Sequence, residues 1–248
     1  MQPDACLFVI SAYNLSQRRL SQLQQMTAER APCPSMLIRL EGTGPALPNA
    51  LDALHEQGHR RILIQPMGMP FTESLLAWLP GAAATWLAGH DDVDIAIGPE
   101  SSSSQAVVAV AVDDAFANSA GAKPVRGTKP SLGKPGWQDP PDFTHHLLVC
   151  TGPRCHYRDA ASLLHALKEE TSRQGVASDC LTARTGCLYP CNQGPMVALY
   201  PKGEWYRLPD AQSVRRFVGE VLVEGGTATD LLIHTARAHS PATEDQSA

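Results

Sequence analysis

Four of the seven cysteines form two close pairs whose residue type and spacing suit a metal centre. Four residues separate Cys150 from Cys155, and three separate Cys187 from Cys191. Four thiolates at two such sites can bind a [2Fe–2S] cluster or a zinc ion. Because zinc pairs usually lie two residues apart, the spacing favours the cluster and leaves zinc as the alternative.

Short apolar runs precede both pairs and predict how the thiols come together. HHLLVCTG (145–152) and CLTART (180–185) are typical of strands, and each ends beside a pair of cysteines. Glycine and proline between the ligands let the backbone wrap closely around a metal centre. Of the other cysteines, Cys6, Cys33 and Cys180 are predicted to be structural. Disulfides are not expected, because the sequence shows no secretory signal.

The remaining pattern around the cysteines predicts a small β-α-β-β-β-α-like domain. A helix is expected over 159–174 and a last helix over 211–224. Between them, 196–201 and 204–208 form a predicted hairpin around the two-residue turn Lys202-Gly203.

The first 117 residues show a different order, in which short apolar runs alternate with helical patterns. Four βα units in a row predict an α/β domain with a parallel, flavodoxin-like sheet covered by helices on both faces. The expected strands are 6–12, 35–42, 61–68 and 93–100, and the expected helices are 16–30, 47–57, 73–88 and 102–117.

A composition change separates these two regions. Residues 118–142 are rich in proline, glycine, serine and lysine and nearly lack aliphatic side chains, which predicts a linker. Residues 1–115 carry a net charge of −6, whereas residues 143–236 are neutral. We therefore predict domains over 1–117 and 143–236, joined by the linker 118–142 and followed by a disordered tail, 237–248.

Charge and hydropathy exclude several classes of protein. A formal net charge of −5 argues against general binding to nucleic acid or to anionic membranes. No apolar run approaches the ~18 residues of a transmembrane helix. The N-terminus, MQPDACLFVISAYN, lacks the basic start and the cleavage site of a signal peptide, so a cytoplasmic location is expected.

The cysteine-bearing domain resembles a known family in its motifs. LLVCTGPRC, then TGCLYPCNQGPMVALYPKGEWY, then a final helix ending in Gly-Gly, is similar to the thioredoxin-like [2Fe–2S] ferredoxins. The resemblance implies a [2Fe–2S] cluster with Cys150, Cys155, Cys187 and Cys191 as its ligands. One departure is Tyr189, since the family commonly has a small residue there.

The N-terminal domain resembles one half of the CbiX/SirB class of sirohydrochlorin chelatases. GHRRILIQPMGMPFTESLLAWLP (58–80) and VDIAIGPE (93–100) carry the likeness. That class inserts cobalt or iron into a tetrapyrrole with histidines at the carboxyl ends of the strands. Here the first such loop reads Ser-Ala-Tyr-Asn (11–14), and the later family histidine falls near Ser74. Glu73 beside it is the one candidate catalytic residue, so the domain is expected to be degenerate.

The leading hypothesis is an electron-transfer protein associated with cobalamin or sirohaem synthesis. One alternative is an enzyme, a sirohydrochlorin cobalt- or ferrochelatase with a regulatory or structural cluster. A second alternative is a zinc-stabilised binding module. The expected partners are a redox protein of unknown identity, a tetrapyrrole as candidate ligand and a homodimer as candidate assembly.

Overall fold

The structure is a computed structural model that describes residues 2–13, 15–67, 73–99, 105–117, 121–122, 136 and 138–237. Contacts divide the chain into two compact units, Met1–Pro141 and Asp142–Ala248. Most of the expected linker, 118–142, and nearly all of the expected tail, 237–248, lie outside the described residues, so their bounds stay predictions. None of the described helices is long and apolar enough to cross a membrane.

The N-terminal unit is a parallel sheet whose strands alternate with helices, which confirms the predicted α/β class. Its elements are β1 (Ala5–Ile10), α1 (Gln17–Arg30), β2 (Ser35–Arg39), α2 (Leu47–Glu56), β3 (Arg61–Pro66), α3 (Glu73–Leu87), β4 (Asp94–Ile97) and α4 (Gln105–Ala117). The strand order is β2-β1-β3-β4, and all neighbours are parallel. This is the flavodoxin-like order, in which β1 and β3 lie side by side.

Burial on both faces explains why these apolar runs form strands of a parallel sheet. Val9 and Ile10 are consecutive in β1 and therefore point to opposite faces, yet both are buried. Helix α1 begins after Ser16, whose hydroxyl accepts a hydrogen bond from the backbone N–H of Arg19. The helix predicted over 16–30 is therefore present as α1, with Ser16 as its N-terminal cap.

The C-terminal unit is a five-stranded mixed sheet with its helices packed on one face. Its elements are β5 (His145–Cys150), α5 (Pro153–Tyr157), α6 (Ala160–Arg173), β6 (Cys180–Thr185), β7 (Met196–Tyr200), β8 (Glu204–Arg207), α7 (Ala211–Arg216), a π-helical segment (Phe217–Val223) and β9 (Leu232–Thr235). The strand order is β6-β5-β7-β8-β9. Strands β5 and β6 are parallel, and the other neighbouring pairs are antiparallel.

One buried apolar cluster fixes the central strand of this sheet. Leu147 and Val149 of β5 belong to it together with Leu167 of α6, Tyr206 of β8 and Phe217 of the π-helical segment. All five residues are completely buried. Because β5 is held on this face along its length, its last residue is presented at a fixed position, and that residue is Cys150.

Two elements of the C-terminal unit were not predicted. Helix α5 follows Cys150 and contains Cys155, in a segment that was predicted to be a loop. Its proline stands at the first helical position, which suits that residue. Strand β9 pairs with β8 at the sheet edge. Four residues are too few to show a recognisable alternation, so the sequence carries little signal for this strand.

The predicted hairpin turn and last helix also need correction. Strand β7 ends at Tyr200 and β8 begins at Glu204, so residues 201–203 form the connection instead of Lys202-Gly203 alone. Pro201 has no N–H to donate to the ladder, which lengthens the turn. The last helix was predicted as one α-helix over 211–224, but α7 ends at Arg216 and continues as the π-helical segment.

Candidate metal centre

The first cysteine pair is buried at the end of the central strand. Cys150 is the last residue of β5, and Cys155 lies in α5, where each is 2% exposed. They form a small buried cluster with Ala160 and Met196. Partly buried apolar side chains pack against this cluster, namely Leu188, Trp205 and Ile233. The pair therefore lies in a setting that excludes water.

The second cysteine pair lies closer to the surface. Cys187 follows β6, and Cys191 begins a short 3-10 turn that ends at Gln193. Their Sγ atoms are 3.2 Å apart. Cys187 is exposed, whereas Cys191 is partly buried. Between them Tyr189 adopts a φ of 57°, in the left-handed region that residues other than glycine rarely occupy.

Contacts between the two cysteine loops bring the pairs together. The backbone N–H of Leu188, in the second loop, donates a hydrogen bond to the thiol of Cys150. A Cβ atom added to Gly152 would lie 3.1 Å from the backbone nitrogen of Cys187. One added to Gly194 would lie 2.4 Å from Sγ of Cys155. Both glycines leave room that any other residue would fill, so the loops form a close cradle around the thiols.

The environment of the thiols favours ionisation at one position and opposes it at others. A hydrogen bond from the Cys155 thiol lowers the pKa of Cys150 to about 6, against the opposing effect of burial. That hydrogen bond, burial and the charges of the neighbouring thiols raise the pKa of Cys155. Burial is also the main cause that raises the pKa of Cys191, and Arg154 opposes it. Four adjacent thiolates therefore need compensating positive charge, which bound metal ions supply.

Arg158 connects the two cysteine loops through hydrogen bonds that were not predicted from the sequence. Nη1 of Arg158 donates to the backbone carbonyl of Cys191 and to that of Arg154, each at 3.2 Å. A hydrogen bond between residues 33 positions apart has no local sequence pattern that could predict it. His156, next to Cys155, is 1% exposed.

The donor set fits a two-iron cluster. Each iron of a [2Fe–2S] centre held by four cysteines takes two thiolates, and the structure presents two pairs of thiols in contacting loops. In the part of the chain that the structure describes, no group of three or more His, Cys, Asp or Glu side chains is arranged to hold a metal ion. The fit to the cluster therefore rests on the pairwise arrangement of the thiols.

Glu73, the candidate catalytic residue of the N-terminal unit, does not lie near the histidines of that unit. Glu73 is the first residue of α3 and is exposed. The loop before it, residues 68–72, lies outside the described residues. His55, His59 and His90 lie near the amino ends of β3 and β4, the opposite end of the sheet from Glu73. There His55 Nε2 is 3.0 Å from a carboxylate oxygen of Asp92.

Comparisons with known proteins distinguish the two units. No family model matches the chain. A solved CbiX protein of cobalamin (vitamin B12) biosynthesis from Marinobacter aquaeolei VT8 covers the N-terminal part. It is 14% identical, with a TM-score of 0.41 over 48% of this chain and 98% of that one.

The C-terminal part matches ferredoxins along almost their whole length. A 2Fe-2S ferredoxin from Clostridium pasteurianum is 32% identical over 90 residues, which is 33% of this chain and 87% of that protein. One from Aquifex aeolicus is 30% identical over 98 residues, 36% of this chain and 86% of its own length. The solved thioredoxin-like [2Fe–2S] ferredoxin from Aquifex aeolicus is 25% identical, with a TM-score of 0.36, over 39% of this chain and 96% of its own.

The Clostridium relative combines this identity with coverage of most of its length, and the match falls on the unit that carries the two cysteine pairs. Through this C-terminal unit, the chain belongs to the 2Fe-2S ferredoxin family.

Proposed function

We propose that the chain is a one-electron carrier whose C-terminal unit binds a [2Fe–2S] cluster through Cys150, Cys155, Cys187 and Cys191. The observation that carries the proposal is the arrangement of these thiols as two pairs on two contacting loops. Thiols held in this way match the ligands of a two-iron cluster. Relatives of the same family are 2Fe-2S ferredoxins, which supports this cofactor over zinc.

When bound, the cluster would supply reversible one-electron redox chemistry. The surrounding residues would influence its reduction potential. The backbone N–H groups of Leu188 and Gly152 donate to the Cys150 sulfur, which stabilises negative charge there. The positive charge of Arg154 favours the thiolate of Cys191. Both effects raise a reduction potential, because reduction adds negative charge to the centre.

The exposure of the ligands indicates where an electron crosses the protein surface. Cys150 and Cys155 are buried, whereas Cys187 is exposed. The buried environment of Cys150 excludes water from one side of the site. On the other side, the exposed loop that carries Cys187 gives the shortest path to solvent. We infer that electrons enter and leave through the loop of the second cysteine pair.

Anaerobically purified protein tests the cofactor directly. About two irons and two acid-labile sulfides per chain are expected, together with the visible absorption of an iron–sulfur cluster. A reductive titration with dithionite is expected to take up about one electron per chain. A colourless protein that holds stoichiometric zinc after reconstitution with iron and sulfide would contradict the proposal and favour the zinc-stabilised module.

We further propose that the carrier works beside cobalamin or sirohaem synthesis in the cytoplasm, with the N-terminal unit as a degenerate, tetrapyrrole-associated domain. The motifs of residues 58–80 and 93–100 support this association. Cobalt insertion into sirohydrochlorin is expected not to exceed the uncatalysed rate, and Glu73→Gln is expected to leave it unchanged. If Glu73 were a working acid–base group, its loss would slow insertion about 100-fold or more. That outcome would identify the chain as a chelatase.

A further inference from the structure

Basic residues are concentrated in the two segments that carry the cysteine pairs, where Arg154 lies in α5 and Arg184 near the end of β6. Segments 151–159 and 184–195 contain three arginines, Arg154, Arg158 and Arg184, and one acidic residue, Asp159. The rest of residues 143–236 contains six basic and eight acidic residues. Arg158 and Arg184 are exposed, and Arg154 is partly exposed. The two segments that carry the cysteine pairs therefore have a net positive charge, although the unit as a whole is neutral.

An exposed aromatic residue lies among these charges. Tyr189, between Cys187 and Cys191, is 74% exposed. Its positive φ is a strained conformation for a residue with a Cβ, so the loop around it must hold that conformation. Tyrosine is enriched at the centres of protein interfaces, where it adds contact area at a low entropic cost. We call Arg154, Arg158, Arg184 and Tyr189 the Tyr189 rim.

A cluster that carries net negative charge explains part of this positive charge but not the exposed tyrosine. Neutralising the cluster requires cations near its sulfurs, which Arg154 provides. Neutralising the cluster does not explain why the large aromatic side chain of Tyr189 is exposed to water. Exposed basic residues and an exposed aromatic residue in the segments that hold the candidate cluster have the composition of a transient docking site.

We propose that the Tyr189 rim is the docking surface for an acidic one-electron carrier protein. The inference rests on the proposed function, because it uses the exposed cysteine loop as the route of the electron. The partner presents carboxylates around an apolar patch. The carboxylates pair with the arginines, and the apolar patch packs against Tyr189. Docking there would place the partner's cofactor beside the loop of the second cysteine pair, and the cluster, when bound, would supply a one-electron transfer in which no bond forms or breaks.

Two probe proteins of opposite charge test this docking surface with the intact, cluster-loaded chain. The first is an oxidised flavodoxin of strongly negative net charge, and the second is an oxidised cytochrome c of strongly positive net charge. Calorimetry or fluorescence is expected to show binding of the flavodoxin at low salt, at least about 10-fold tighter than that of the cytochrome. Raising the ionic strength to 0.5 M is expected to remove the preference. Equal affinities, or a preference for the cytochrome, would overturn the proposal.

Single substitutions locate the surface. Arg154→Glu and Arg184→Glu are each expected to weaken flavodoxin binding about 3- to 10-fold at low salt. Tyr189→Ser is expected to weaken it at low and high salt alike, because its contribution is apolar. Lys168→Glu is the matched control, since it makes the same charge change on an exposed position of α6, about 12 Å along the helix from its first residue, Ala160. A loss of affinity in the control equal to that in Arg184→Glu would mean that net charge alone matters, which would overturn the docking site.

Measurements on the cluster separate the two proposals. The visible spectrum and the midpoint potential are recorded for every variant. If dithionite does not reduce the wild-type chain, the proposed function fails. If the cluster is reduced normally and the arginine variants shift only its potential, with unchanged flavodoxin affinity, the proposed function stands and the docking surface is wrong.

Discussion

Cys155→Ala is expected to abolish the visible absorption of the cluster and to lower the iron content about 10-fold or more. Cys155 is 2% exposed and packs in a buried cluster with Cys150, Ala160 and Met196. A solvent molecule cannot readily replace a ligand in so closed a setting. Iron and sulfide analysis of anaerobically purified protein, with the visible spectrum, gives the measurement.

Cys180→Ala is the control for this loss. Cys180 begins β6 and packs against the apolar core of the same unit, and burial raises its pKa to about 11. Cys180 pairs with His145, whereas Thr185 at the other end of β6 pairs with Cys150, so Cys180 lies away from the two cysteine pairs and is not expected to be a ligand. The variant should keep its iron and its colour. Full retention of the cluster by Cys155→Ala, or its loss from Cys180→Ala, would show that the ligands are assigned wrongly.

The parts of the fold that the sequence predicted are those with a local signal. The strands β1, β2, β3 and β5 are short apolar runs, and turns or polar segments bound each of them. The two cysteine pairs were predicted to meet because each follows a strand, and strand ends lie at sheet edges. Both inferences need only a few consecutive residues, which is why they could be made without the structure.

The parts that could not be predicted depend on contacts between distant segments. Arg158 reaches the carbonyl of Cys191 across 33 positions, and the N–H of Leu188 reaches the sulfur of Cys150. Neither partner can be identified before the register of β5 and β6 is known. The π-helical segment after Arg216 is similar, because Phe217 is held by packing on Tyr206, with ring centroids 5.0 Å apart.

Gly194 shows the same limit at a single position of the site. The sequence presents it as one more glycine before a proline, with an ordinary φ of −66°. Only the structure shows that a Cβ at this position would meet Sγ of Cys155. A glycine that is needed for a positive φ can be predicted from turn motifs. A glycine that is needed because a side chain would clash has no such sequence signal.

Gly194→Ala is therefore expected to destabilise the cluster without unfolding the chain. The backbone conformation suits alanine, but its Cβ would lie 2.4 Å from Sγ of Cys155, a ligand that the cluster would hold in place. An added methyl group in a packed site costs about 1–3 kcal/mol. We expect the cluster to be lost about 10-fold faster in the presence of an iron chelator, since 1.4 kcal/mol corresponds to a factor of about 10. The decay of the visible absorption measures this rate.

Gly186→Ala is the matched control for the same change of residue. Gly186 directly precedes Cys187, yet a Cβ added there meets nothing within 4 Å. The added methyl group would point into open space, so the rate of cluster loss should stay within about 2-fold of the wild type. Circular dichroism should show the same secondary structure in both variants. Equal decay rates for Gly194→Ala and the wild type would mean that the second loop does not close on Cys155 when the cluster is bound.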